Sequence, residues 1–228
     1  MSKASQLIEA QAFAWGTTFL AACGGGGSDT PSSTASATFP LDAAYTKMFI
    51  NGVTVNGTAV DGADTYTLAL TLTPAADEVF EGVARKKNIT SLTLKKNGAV
   101  LTATNIQSYF SVNPFAQHGA RYSDGTYGVM KNSGNFSSAA RVGDGGALGI
   151  LTTYTDSSRT RVVNTVESTW TLEADTATTA FGCTNSVLRD AAGTLTGTQS
   201  GCFKIDTSGN ALGTRYTLSV AGKTLVFK

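Results

Sequence analysis

Period-2 alternation of apolar and polar positions dominates this chain. Tyr66, Leu68, Leu70 and Leu72 fall on one side of an extended segment, with Thr65, Thr67, Ala69, Thr71 and Thr73 on the other. The pattern returns as Val166, Ser168, Trp170 and Leu172 against Thr165, Glu167, Thr169 and Thr171, and as Tyr216, Leu218 and Val220 against Thr217 and Ser219. Successive side chains of a strand point to opposite faces, so each run predicts a strand with one core face and one wet face. Threonine suits the wet face, because a β-branched side chain is comfortable on a pleated surface. Shorter runs of the same kind occupy 89–95, 100–104, 109–112, 201–205 and 224–227.

Turn signals punctuate these runs: Asn51-Gly52, Asn56-Gly57, Asp61-Gly62, Asn97-Gly98, Asp124-Gly125, Asp144-Gly145 and Ser208-Gly209. Such pairs supply the positive φ angles of tight hairpins. Lys95-Lys96-Asn97-Gly98-Ala99-Val100 is the clearest of them. The expected fold class is therefore all-β: an antiparallel β-meander forming a sandwich or barrel. No amphipathic helix of useful length is expected; 74–78 and 174–179 are each read as a single helical turn between strands. Two amphipathic hairpins, one led by Thr65-Tyr66-Thr67-Leu68 and one by Thr169-Trp170-Thr171-Leu172, echo each other. Either any two such hairpins look alike at this level, or two half-domains meet in the Gly-rich stretch 132–149.

Residues 1–22 carry Lys3 and an apolar stretch over 12–22. About 11 residues cannot cross a bilayer, which takes roughly 20, but they suit the core of a signal peptide. The stretch ends in Leu20-Ala21-Ala22-Cys23, followed by Gly24-Gly25-Gly26-Gly27-Ser28. This resembles the lipobox of bacterial lipoproteins. The resemblance implies cleavage before Cys23, lipidation of Cys23, and, with Gly24 rather than Asp next, sorting to the outer membrane. An ordinary cleaved secretory signal is the alternative reading of the leader. Residues 23–38 then form the lipidated cysteine and a flexible Gly/Ser/Thr tether with an r.m.s. reach of roughly 20 Å. The folded domain spans 39–228.

With Cys23 assigned to lipid, Cys183 and Cys202 remain. An even pair in an oxidising compartment reads as a disulfide, closing a loop worth about 3 kcal/mol in the chain-entropy account. A metal half-site would lack the companion ligands zinc requires. The charges, 17 basic against 16 acidic residues, are scattered. They give no electrostatic footprint for nucleic acid or a polybasic membrane surface.

Catalytic motifs are missing: no Gly-x-Ser-x-Gly elbow, Walker loop or zinc-spaced Cys/His set is present. The one histidine, His118, lies in a stretch, 113–125, that mixes aromatic, amide, imidazole, guanidinium and carboxylate groups. Phe115, His118, Arg121 and Tyr122 are therefore the candidate ligand-contact loop. The plainer reading is a connection whose Phe115 and Tyr122 plug the core while His118 and Arg121 stay solvated. The Gly-rich run 141–149 lacks the Lys-Ser/Thr of a phosphate loop and reads as a wide turn. Asp61, Asp64, Asp144 and Asp156 read as turn caps rather than calcium ligands.

Taken whole, the chain is similar to a family of uncharacterised small lipoproteins of Gram-negative bacteria. The likeness rests on the Cys23-polyglycine leash, Asp64-Thr65-Tyr66-Thr67-Leu68, Leu172-Glu173-Ala174-Asp175, Cys202-Phe203-Lys204-Ile205-Asp206 and Thr224-Leu225-Val226-Phe227-Lys228. It implies no assigned activity. The expectation is a lipid-anchored outer-membrane protein with a structural or protein-binding role. It has no catalytic residues, cofactor or metal, and its partners are the membrane and another envelope protein. A lipocalin-like carrier of a small apolar ligand is the alternative.

Overall fold

The computed structural model describes residues 37–220 and 223–227. The leader, Cys23 and most of the tether lie outside the described residues. One helix, α1 (Leu41–Asn51), precedes twelve strands: β1 (Val53–Asp61), β2 (Asp64–Phe80), β3 (Val83–Lys96), β4 (Ala99–Val112), β5 (Phe115–Tyr122), β6 (Tyr127–Lys131), β7 (Gly145–Tyr154), β8 (Val162–Ala174), β9 (Thr179–Asp190), β10 (Leu195–Asp206), β11 (Ala211–Val220) and β12 (Lys223–Phe227). Each strand pairs antiparallel with its chain neighbours in one sheet. The sheet curls until its two edge strands face each other, where Lys223 of β12 forms an ion pair with Asp61 of β1. No hydrogen-bonded ladder joins β1 to β12 among the described residues. The fold is thus a nearly closed twelve-stranded meander barrel, which decides between sandwich and barrel.

The alternation seen in the sequence sets inside from outside. Tyr66, Leu68, Leu70 and Leu72 are buried, as are Trp170, Leu172, Tyr216 and Leu218. The intervening Thr65, Thr67 and Thr169 are exposed. Polar residues are buried too, among them Asn88, Thr90, Ser108, Asn164, Ser186 and Gln199, and the exposed threonines differ from the apolar lipid-facing wall of a membrane-spanning barrel. Among the described residues no helix is long and apolar enough to cross a membrane.

Three expectations about local structure need correction. Residues 174–179 make no helical turn: 174 ends β8, 179 begins β9, and a bend joins them. Asn56-Gly57 is no turn: it lies inside β1, with Gly57 opposite Leu68 of β2. Residues 74–78 are not a helical turn but part of β2, where the register with β3 breaks between Ala75 and Glu78. The chain does turn where expected at Asp61-Gly62, Asn97-Gly98, Asp124-Gly125 and Ser208-Gly209. The stretch 132–144 joins β6 to β7, which pair directly, so the sheet runs through it without a break. The two echoing segments sit on β2 and β8, six strands apart in the ring.

Helix α1 was not expected either, and it plugs one mouth of the barrel. Leu41, Ala44, Tyr45, Met48 and Phe49 form its buried stripe, spaced i, i+3, i+4, i+7, i+8 as an amphipathic helix requires. Tyr45 stacks on Phe136 from the β6–β7 connection at 3.8 Å between ring centroids and meets Phe203 of β10 edge-on at 5.8 Å. Phe49 packs against Phe110 of β4 and Phe115 of β5. Polar contacts fix the helix at its rim. Asp42 Oδ1 accepts the Phe115 N–H at 2.7 Å, and Lys47 donates to Ser208 O and Asn210 Oδ1 in the β10–β11 turn. Just before the helix, Phe39 pairs with Ala140 by two backbone bonds.

A second, smaller inner cluster joins Met130, Leu151, Val166 and Leu188 across β6 to β9. Nearby, Ser168 and Ser186 share a buried hydroxyl bond of 3.1 Å between β8 and β9.

Truncating the plug should be costly. Tyr45→Ala removes a ring held by three aromatic partners and should lower unfolding free energy by about 3–5 kcal/mol, read from urea denaturation with m unchanged.

Candidate functional site

The outer wall, not the interior, carries the barrel's densest group of charged and aromatic side chains. Tyr109 follows Ser108 and precedes Phe110, both of which face inward, so its ring must project outward. Tyr127 lies opposite Arg121 across β5–β6, and both share that outer wall. Beyond the register break the tip of the β2–β3 hairpin folds onto this surface. Phe80 stacks on Tyr109 at 4.3 Å and on Tyr127 at 5.3 Å, forming a cluster separate from the interior core. Space for the ring comes from Gly119. A Cβ there would lie 2.3 Å from Gly128 O and 2.5 Å from Phe80 Cζ.

A polar clamp surrounds the Phe80 slot. Glu78 Oε1 accepts from Arg121 and from the Tyr109 hydroxyl, and its Oε2 accepts from Lys87 at 2.5 Å. The Arg121 guanidinium lies 5.2 Å from the Tyr109 ring centre and 6.0 Å from that of Phe80, a cation over two aromatic faces. At the tip itself, Tyr127 donates to Glu81 Oε1 and Arg159 binds Glu81 Oε2. The Lys87 hydrogen bond, then that of Arg121, holds the Glu78 carboxyl below its ordinary range, against the effect of burial. Burial pushes the Tyr109 and Tyr127 phenols up to about 12. Every one of these groups has a partner within the clamp, so the arrangement fastens the hairpin to the wall.

The four residues singled out in the sequence therefore separate. They sit on strand β5 rather than on a loop, and strand alternation sends them to different places. Phe115 is buried beneath α1, and Tyr122 is buried inside the barrel, where burial raises its phenol pKa. Arg121 joins the outer clamp. His118 occupies an extra position where the β4–β5 register breaks at Tyr109/Phe110, half-buried, with Nε2 3.2 Å from Ser111 Oγ.

Cys183 and Cys202 pair directly across β9–β10 and are bonded. This disulfide lies on the outward side of both strands, yet both residues are buried. Arg215 of β11 covers it: Nη2 is 3.4 Å from Cys202 Sγ and 2.5 Å from Glu173 Oε2, and the guanidinium lies 4.7 Å from the Phe181 ring centre. The Glu173 carboxylate and both sulfurs lie close together, but the sulfurs are engaged with each other. A shallow groove of about 340 Å³ also crosses the outer faces of β1 to β3, lined by Asn56, Thr58, Thr67, Ala69, Thr93 and Lys95.

Sequence reasoning missed Phe80, Glu78, Tyr109 and Arg215. A signal existed for one of them: in Tyr109-Phe110, adjacent rings on a strand cannot both face the core. No family model, curated protein or solved structure matches this chain.

Three measurements probe these features. Gly119→Ala should destabilise by about 2–4 kcal/mol, since backbone and ring leave no room for a methyl group, read from the denaturation midpoint. Glu78 adds stability in full above about pH 5 and loses it as pH falls through its depressed folded value. Glu78→Gln should accordingly be less stable at neutral pH and flatten the acid limb of the stability profile. Reducing the Cys183–Cys202 bond should cost about 3 kcal/mol, seen as a lower midpoint in urea with a phosphine reductant present.

Proposed function

We propose that this protein is a lipid-anchored envelope protein, moored through Cys23, whose barrel serves as a non-enzymatic scaffold for contact with another envelope protein. The observation that carries this reading is where the fold puts its side chains. The end of the interior beneath α1 is packed with an aromatic and aliphatic core, while the charged and aromatic groups are arrayed on the outer wall. A carrier of small apolar ligands keeps room inside its barrel. Here Tyr66, Leu68, Leu70, Trp170 and Leu172 pack within the one buried cluster, which favours external over internal recognition. His118 lies within bonding distance of Ser111, but no acid completes a relay with it among the described hydrogen bonds. That arrangement favours binding over group transfer.

Cell-envelope crosslinking followed by affinity capture of the full-length protein tests the proposal. One partner should be recovered in stoichiometric amount, and the Cys23→Ser variant should be released from the membrane fraction. Recovery of the wild-type chain in the soluble fraction, or capture of no partner, would overturn it.

A further inference from the structure

One cation beside the clamp has no carboxylate to answer it. Arg85 of β3 is paired in register with Glu78 of β2, but Glu78 is already shared among Lys87, Arg121 and Tyr109. The neighbouring acid Asp77 is taken by Lys86. Of the cations outside ion pairs among the described residues, Arg85 alone has a guanidinium nitrogen, Nε, sealed from solvent with no hydrogen bond. Sealing of Nε fixes the guanidinium in place, while its two terminal nitrogens stay accessible and carry no hydrogen bond among the described contacts; such a fork can receive two oxygens of one anion.

Register places one more donor beside it, held by a neighbouring hydroxyl. Lys86 pairs with Phe110 and Phe110 with Gln117, so Arg85, Ser111 and His118 are neighbours on three adjacent strands. Ser111 Oγ donates its proton to Pro114 O at 3.0 Å. It therefore accepts from His118 Nε2, which leaves Nδ1 to gain or lose the titrating proton. Burial, and then the Arg85 charge, hold the His118 pKa below its ordinary value. No carboxylate touches either group among the described contacts.

We infer that Arg85 and His118, the imidazole oriented by Ser111 Oγ, form a docking point for a small oxyanion, a phosphate or carboxylate group, on the outer wall beside the folded hairpin. The anion would neutralise Arg85 and favour a proton on His118 Nδ1, so occupancy and His118 protonation are linked.

His118 is the only histidine in the chain, so its ring resonances report the site without ambiguity. The full-length protein is titrated with pH by NMR in inorganic phosphate, in acetate, and in chloride of matched ionic strength. Phosphate should raise the His118 pKa by about half a unit or more relative to chloride. A matching response to acetate would assign the site to carboxylates as well, and a response to phosphate alone to phosphoryl groups. In Arg85→Gln the pKa in chloride should rise, because the repelling charge is gone, and the phosphate response should vanish. The inference fails if neither anion moves His118 in the wild-type protein. It fails equally if folded Arg85→Gln, checked by circular dichroism, keeps the phosphate response.

Discussion

A cylinder of twelve strands is wider than its own inward side chains can fill, and small barrels are solid only near eight strands. The whole structure depends on how that surplus volume is occupied. Here the occupant is α1, whose Tyr45 and Phe49 reach into a ring of aromatics from β4, β5, β10 and the β6–β7 connection. The helix has no side-chain cap at its N-terminus, and at eleven residues it would be marginal alone. Burial of its apolar stripe holds it helical, and its presence lets the wall close around a packed aromatic centre. Plug and wall stabilise each other.

With the centre occupied, recognition moves outward. The β2–β3 hairpin is longer than the wall it belongs to, and its tip doubles back to lay Phe80 into a slot floored by Gly119. That fold brings Glu78 over Arg121 and Tyr109 and leaves Arg85 beside His118 without an acid. On the far side, Arg215 shields the disulfide in a similar way, by spreading a guanidinium over sulfur and an aromatic ring while bonded to Glu173. In both places an arginine lies over rings and answers a carboxylate, which gives an otherwise hydroxyl-rich exterior two rigid, chemically distinctive surfaces.

The strands were legible because their signal is local. Tyr66 to Leu72 and Val166 to Leu172 alternate cleanly, and the disulfide followed from parity of cysteines outside the leader. The helix was hidden although Leu41, Ala44, Tyr45, Met48 and Phe49 carry the right spacing. Ala43 and Ile50 blur its polar side, and eleven residues between a proline and a glycine resemble a connection. The separation of Phe115 from His118 could not be foreseen without knowing that β5 is a strand with an extra residue at its middle. Likewise, nothing in the chain near Phe80 announces contact with Tyr127, because a hairpin folding back on a wall is fixed by tertiary packing rather than by local pattern. Asn56-Gly57 misled for the converse reason: register with β2 overrode its turn preference.

The pairing of every strand with its chain neighbours also governs how the molecule can form. Hairpins close short loops, so the wall can grow by successive local steps with little entropy lost at each. Three events join distant parts of the chain: seating α1, folding the β2–β3 tip onto the wall, and bringing β12 round to β1, where an ion pair stands in for a backbone ladder. The slowest stage of folding should therefore be the final circularisation, and the same seam is where the native ring should first breathe open.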